Sequence, residues 1–314
     1  MRTVRNVHER VVEASADTVG ALMDRLSADD DPLFPTPAWP PMRFDRPLGV
    51  GADGGHGFVR YKVGAYRPGR SVRFDFAPPG NGFHGMHIEP LGPARCRVVH
   101  VLEQRQSLKE ALRWSLVVRP VHDVVVEELL DNIERAATGS LDAPVRWSPR
   151  VRLTHRLVRY RPRAVAVPEA ARLARGAFDR VDFCDAWQLP LEPGMDRDPR
   201  AWRGVLPFAV QAADGDELLL GEDASHLDFR ASLLVGERDV TLTTVVRTHN
   251  RLGRLYFAPV RYIHPFMVRW MLRRTYRALA LAAPSAAERS GGGGSAAPEA
   301  SRTAGPPPDE VASM

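Results

Sequence analysis

The chain has 314 residues, 44% of them hydrophobic and 26% charged, with a formal net charge of +5. That length has room for two domains of ordinary size, and the composition is that of a protein able to bury a core. No run of about 18 apolar residues could span a bilayer. The first residues, MRTVRNVHERVVEAS, alternate in polarity rather than forming the apolar stretch of a secretion signal, so a cytoplasmic protein is expected. Apart from Lys62 and Lys109 the positive charge is all arginine, and Ala, Pro and Gly are abundant, as in a GC-rich genome. The charge therefore implies no specific nucleic-acid partner. Cys96 and Cys184 lie far apart and predict neither a disulfide framework nor a metal site.

Residues 3–13 alternate as a strand does, with Val4, Val7 and Val11-Val12 as the apolar set. Ser15 reads as a helix N-cap, and Val19, Leu22, Met23 and Leu26 follow at helical spacing until Asp29-Asp30-Asp31-Pro32 stops the helix. Residues 33–44, LFPTPAWPPMRF, hold too many prolines for regular structure and read as a packed loop burying Phe34, Trp39, Met42 and Phe44. Strands are predicted over residues 56–66, 71–76, 83–89 and 96–104. Val59, Tyr61 and Val63 alternate with Arg60 and Lys62, and Val72, Phe74 and Phe76 with Arg73 and Asp75, which predicts an antiparallel sheet with one apolar face. A helix after Pro120 covers that face with Val121, Val124, Val125, Leu129 and Ile133. Its other side carries Asp123, Glu127, Glu128, Asp131 and Glu134.

From Arg146 to Arg163 there are many arginines and no acid, which reads as a connector packed on acidic surface or as an anion-binding arm. Residues 168–178 and 199–208 predict short helices. Residues 181–191, 217–222, 225–235 and 239–248 predict strands. A last helix is predicted from Pro265 to about Ala282, apolar through Met267, Val268, Trp270, Leu272 and Tyr276, with arginines on its polar face. Residues 284–314 are rich in Gly, Ser and Pro, include the run SGGGGS, and read as a disordered tail.

One stretch occurs twice. Sliding residues 97–137 by 142 positions sets Arg105 on Arg247, Arg119 on Arg261, His122 on His264, Leu130 on Leu272 and Arg135 on Arg277 without a gap. Each copy predicts a strand, a short basic turn and a closing helix, and the paired histidines read as the entry to that helix. The first closing helix is acidic and the second basic, which suggests that two domains pack partly through this contrast.

The order of elements resembles known families. An N-terminal strand, a helical excursion (ASADTVGALMDRL), a glycine-introduced hairpin (GHGFVRYKVGAYRPGRSVRFDF), further strands and one long helix resemble the helix-grip superfamily of START domains, polyketide cyclases and plant Bet v 1 proteins, over about residues 3–137. FDRVDFCDAWQLPL, LLLGEDASHLDFRASL and VTLTTVVRTHNRLGRLYFAPVRYIHPFMVRWMLRR resemble DUF2867, a family with no assigned function, over about residues 164–282. Together they imply an α+β chain of two tandem helix-grip-like domains, each an antiparallel sheet curled around a long C-terminal helix. The first domain is residues 1–138 and the second 164–283, with an arginine-rich linker over 139–163. The resemblance implies an apolar cavity between sheet and helix that binds a hydrophobic small molecule, a lipid or polyketide-like metabolite, without a cofactor.

In that cavity the concave-face candidates are Tyr61, Phe74, Met86 and His100. A polyketide cyclase or aromatase would need an acid or base there, and Tyr61, His84, His87 and His100 are the candidates. His84 and His87 fall on opposite faces of a strand, against shared metal ligation. In the second half His226, Asp228 and Arg230 alternate and share a strand face. They form either a His/Asp pair with an anion-holding arginine or, as the preferred reading, a charged outer face opposite Leu227, Phe229, Ala231 and Leu233. His249 and Asn250 sit in a turn, at a cavity mouth or as a cap. Gly49 to Gly54 lacks the following helix of a phosphate loop, and no GxGxxG, P-loop, HExxH or GxSxG motif occurs. A structural protein with filled cores, or one whose basic C-terminal helix lies on an anionic membrane, is the remaining alternative.

Overall fold

A computed structural model of the chain describes residues 2–57, 59–78, 80–156 and 160–284. The expected tail, from residue 285 with its SGGGGS run, lies outside them. The fold is α+β, with two antiparallel sheets each packed against a long helix.

The first sheet is formed by β1 (Arg2–Val12), β2 (Met42–Phe44), β3 (Asp53–His56), β4 (Val59–Arg67), β5 (Ser71–Phe76), β6 (Phe83–Gly92) and β7 (Arg95–Gln106), in the order β1-β7-β6-β5-β4-β3-β2. Helix α1 (Ala16–Met23) leaves β1 with Ser15 as its cap, the Ser15 side chain accepting from the Thr18 amide. After β7 the chain runs through α2 (Leu108–Arg113), a π-helical turn (Trp114–Val118) and α3 (Arg119–Thr138). Ser107 and Glu110 close a capping box at its start. Gly139 ends it in the left-handed conformation at φ 78°, which glycine adopts without strain.

The basic turn expected before α3 is therefore helix. The π turn absorbs Pro120, which sits near the start of α3, where a missing N–H costs little. In β1 the inward face is largely polar. Val7 and Val11 are exposed, whereas Asn6, His8, Arg10 and Val12 face the helix. Alternation marked the strand without deciding which of its faces is inward. Strand β1 presents polar groups inward because α3 presents acids to it. Arg10 reaches Asp131 at 3.0 Å, Glu127 at 3.1 Å and Glu134 at 2.5 Å. The acids of α3 thus face the first sheet and are not free to pair with the basic last helix.

The arginine-rich stretch folds partly as α4 (Pro149–Arg156), whose Val151 joins the first core. Two of its contacts to α3 come from groups other than guanidinium. The Val145 amide donates to Asp131 at 2.8 Å, and the Trp147 indole donates to Glu128 at 2.7 Å. Trp39, from the proline-rich loop, donates to the other oxygen of Glu128 at 2.6 Å.

The second sheet follows the order β10-β11-β12-β13-β9-β8. Its strands are β8 (Arg163–Ala164), β9 (Phe183–Pro190), β10 (Ala209–Asp214), β11 (Glu217–Asp223), β12 (Leu227–Val235) and β13 (Asp239–Thr248). Helix α5 (Arg172–Arg175) covers one face and α6 (Arg251–Ala282) the other; a 3-10 turn (Pro199–Val205) adds Trp202 to the α6-side core. Buried Glu217 on β11 accepts the Leu173 and Ala174 amides of α5 and the Ser232 hydroxyl. The last helix begins at Arg251, capped by Asn250, and holds Pro259 and Pro265 inside it. Proline, read from sequence as the helix start, instead removes one bond within a continuous helix. Strand β13 and α6 stand at the repeat offset from β7 and the α2–α3 run.

Burial raises the Glu128 carboxyl to about 7, against the two indole bonds that favour its charge. The folded protein holds this proton where the unfolded chain has released it, so the contribution is full below about pH 4.5 and is lost as the pH rises through about 7. Glu128→Gln leaves one indole unpaired, a cost of about 1 kcal/mol at every pH. The wild type's lead over this variant in urea midpoint is expected to shrink between pH 5 and pH 8; a constant difference would show that Glu128 titrates normally.

Candidate functional site

Inward-facing positions on neighbouring strands form a chain of rings. Tyr61 on β4 pairs in register with Phe76 on β5, Phe74 on β5 with His84 on β6, Met86 on β6 with His100 on β7, and His100 with His8 on β1. The period of two places these side chains on one face, and α3 adds His122 from the opposite side. Ring centroids stand 4.8 Å apart for Tyr61–His84, 5.7 Å for His84–His100, 5.4 Å for His100–His122 and 6.1 Å for His122–His8. Trp114 of the π turn adds a ring 5.4 Å from His122, and His56 lies 6.0 Å from Tyr61.

All four expected ligand-lining residues are therefore on one buried face: Tyr61, Phe74, Met86 and His100. They pack closely there. Phe74 stacks on Phe44 at 5.8 Å and meets Tyr61 at 5.1 Å. His56, His84 and His122 are only partly buried, so the ring chain reaches the surface along one side. A cleft of about 430 Å³ lies elsewhere, lined by residues such as Asp29, Asp31, Thr36, Arg43 and Pro193. Beside it Arg43 pairs with Glu192 across the two sheets at 2.8 Å.

The electrostatics of the ring chain divide sharply. Burial alone would lower His8, but hydrogen bonds to Asp123 at 3.1 Å and Glu127 at 2.7 Å outweigh it and raise the imidazole to about 9. It is an imidazolium at neutral pH. Burial and the neighbouring histidines push His84 and His100 well below 6.5, and His56 to about 4. Burial also lowers His122, and the His8 charge adds to that, against the pull of Asp123. Tyr61 is held neutral by burial. The Tyr61 hydroxyl, His100 Nδ1 and His122 Nδ1 are buried without a hydrogen-bond partner. Such orphans are rare in protein interiors, and three in one ring cluster mark a place built for something other than stability.

The sequence placed Tyr61, His84 and His100 here but not His8, His56 or His122. His8 lay on a strand whose inward face the alternation left undecided, and His122 was read as a helix entry. His87, by contrast, faces away from His84 as its spacing requires, and lies 3.3 Å from Glu89.

The second-sheet candidates are arranged differently from the expected row. Asp228 is buried and pairs with Arg247 at 2.6 Å and His249 at 2.9 Å, not with His226. Arg230 pairs with Asp223, and both Arg230 and Arg247 stack on Phe178. His226 packs on Tyr256 instead. The face expected to be a charged exterior is covered by α5 and Phe178, with Ser232 and Leu234 buried beside Asp228. Asn250 caps α6, its side chain accepting from the Gly253 amide. Both cysteines are free.

The DUF2867 family model, described as a protein of unknown function, matches residues 196–271, from the 3-10 turn through β10–β13 into α6. No curated protein matches the chain. Among solved structures, a truncated norcoclaurine synthase from Thalictrum flavum is similar at 17% identity, covering 44% of this chain and 96% of that one, with a TM-score of 0.35. A conserved protein of unknown function from Enterococcus faecalis is similar at 13% identity, covering 49% and 82%, with a TM-score of 0.35. A protein from Thermobifida fusca is similar at 21% identity, covering 43% and 95%, with a TM-score of 0.34.

Because the Tyr61 hydroxyl has no partner, Tyr61→Phe is expected to leave the melting temperature unchanged or slightly raised. Tyr61→Ala, which opens a void, should cost about 3 to 5 kcal/mol. A Phe variant destabilised as much as the Ala variant would mean that the hydroxyl has a structural partner.

Proposed function

We propose that the chain binds a flat hydrophobic small molecule with polar edges, such as a polyketide-like metabolite, in the ring chain between the first sheet and α3. The single observation that carries this reading is the set of unpartnered buried polar atoms at Tyr61, His100 and His122, embedded among aromatic rings. Aromatic faces take up a planar ligand by stacking, and the orphan groups supply the few directed bonds that orient it. Tyr61, Phe74, Met86 and His100 line that site, entered along the side where His84 and His122 are partly exposed. In this reading residues 1–138 and 164–283 are two tandem helix-grip-like units joined by residues 139–163. A cyclase or aromatase reaction would draw on the same cluster, with His8 charged and His100 and His122 neutral, a division suited to acid and base roles.

Native mass spectrometry of protein purified from its own host should reveal a bound molecule of a few hundred daltons. Tyr61→Phe is expected to lose it while keeping its melting temperature. Ligand-free protein, or equal occupancy in the variant, would overturn the proposal.

A second reading concerns α6. Leu255, Tyr262, Ile263, Phe266 and Trp270 are exposed there, and the charged residues of the helix are all arginine. Apolar side chains among guanidinium groups suit a helix lying on an anionic bilayer surface. No helix among the described residues is long and apolar enough to cross a membrane. In flotation assays the protein is expected to rise with phosphatidylserine vesicles and not with neutral phosphatidylcholine, and Leu255→Asp with Phe266→Asp should weaken this about tenfold. Absence of flotation at low salt would remove this reading.

A further inference from the structure

At the seam of β1 and α3, two imidazoles and a carboxylate converge. One donor atom from each of His8, His122 and Asp123 lies within 4.8 Å of the others. His8 Nε2 is 3.1 Å from Asp123 Oδ1, and His122 Nδ1 is 3.7 Å from the same oxygen. Donors bound to one tetrahedral ion at about 2.1 Å stand about 3.4 Å apart, so both distances to Asp123 fit, and the two imidazoles need draw together by no more than about 1.4 Å. We propose that His8, His122 and Asp123 form a binding site for a divalent first-row transition metal ion.

An ion pair alone accounts for His8, whose two nitrogens both face carboxylates; an ion bound there would take the place of the Nε2 proton, which is released to solvent on binding. It does not account for His122, whose Nδ1 is buried beyond hydrogen-bond reach of Asp123. A ring nitrogen aimed at a carboxylate and an imidazole, with no proton exchanged between them, is placed as a ligand is placed. His100 Nδ1 is likewise unpartnered, and its ring lies 5.4 Å from that of His122.

The surroundings are those that metal ligands require. Glu127 holds the His8 Nδ1 at 2.7 Å, fixing the ring so that Nε2 faces Asp123. Asn6 donates to Asp123 Oδ1 at 3.0 Å. Such outer partners orient ligands and raise their basicity. The frame is rigid, because Arg10 ties β1 to Glu127, Asp131 and Glu134 of α3. Two nitrogens and one oxygen select zinc or ferrous-type ions over calcium or magnesium, which take all-oxygen shells. Partial exposure of His122 and Asp123 leaves a path for the ion.

The site shares its ring cluster with the proposed ligand site but does not require an organic ligand, and the test keeps the two apart. Untagged, chelator-treated protein is titrated with Co2+ alone. One equivalent is expected to bind, with a visible ligand-field band that Zn2+ displaces. Tyr61→Phe should bind as the wild type does, whatever becomes of the small molecule. His122→Gln and Asp123→Asn should weaken binding tenfold or more, whereas His87→Gln, on the other face of β6, should not. Circular dichroism checks that each variant is folded; if His122→Gln does not fold, His122→Asn takes its place. No stoichiometric binding by the wild type, or undiminished binding by a folded His122 variant, overturns the assignment.

Discussion

The carboxylates of α3 hold the first sheet to its helix. A long helix laid across a sheet usually turns apolar residues inward, and α3 does so with Val124, Leu129, Leu130 and Ile133. It also turns in a row of acids, and each finds a partner. Asp123 and Glu127 meet His8, Glu127, Asp131 and Glu134 meet Arg10, and Glu128 sits between the indoles of Trp39 and Trp147. Removing Arg10 or His8 would leave partly buried carboxylates uncompensated, which costs about 3 kcal/mol. The polar seam therefore fixes where β1, the proline-rich loop and the arginine-rich stretch sit on the helix.

That seam also sets the chemistry next to it. His8, fully engaged by carboxylates, is charged, while burial above all keeps His100 and His122 neutral, with the neighbouring imidazoles adding to it. An imidazolium and neutral imidazoles then stand within a few ångströms of each other, beside a phenol that burial keeps neutral. Proximity of groups with separated proton affinities is what ligand recognition, acid–base chemistry and metal binding all draw on. The second sheet lacks this arrangement. Its buried acids, Asp228 and Glu217, are matched by Arg247, His249, backbone amides and Ser232, which is how charge is stabilised when it serves packing.

The repeated stretch means something different once folded. Both copies are a strand followed by a helix, and the matched histidines are both turned toward their sheets. His264 is buried 3.3 Å from Asp185 of β9, while His122 lies beside Asp123 of its own helix. The same position has thus been given a packing role in one copy and a place in the histidine cluster in the other. Sequence could align the two histidines but not tell them apart, because the deciding neighbours, His8 and His100 for one and Asp185 and Phe183 for the other, are remote in the chain.

Local physics was sufficient for much of the architecture. Alternation located β1, β4 and β5, a serine cap located α1, and the apolar spacing of α3 predicted its inward stripe. Tyr61, Phe74, Met86 and His100 were assigned to one face because the strand period is two, and that face is where they are. Tertiary structure decided what periodicity cannot carry. A strand with Val7 and Val11 on one side and Asn6, His8, Arg10 and Val12 on the other has two possible phases, and the acids of α3, more than a hundred residues away, select the polar one. Prolines inside α3 and α6 look like helix starts until a π turn or a missing bond is accommodated by packing. The histidine cluster is of the same kind: each member is an ordinary residue in sequence, and only the pairing of β1 with β7 beneath α3 brings them together.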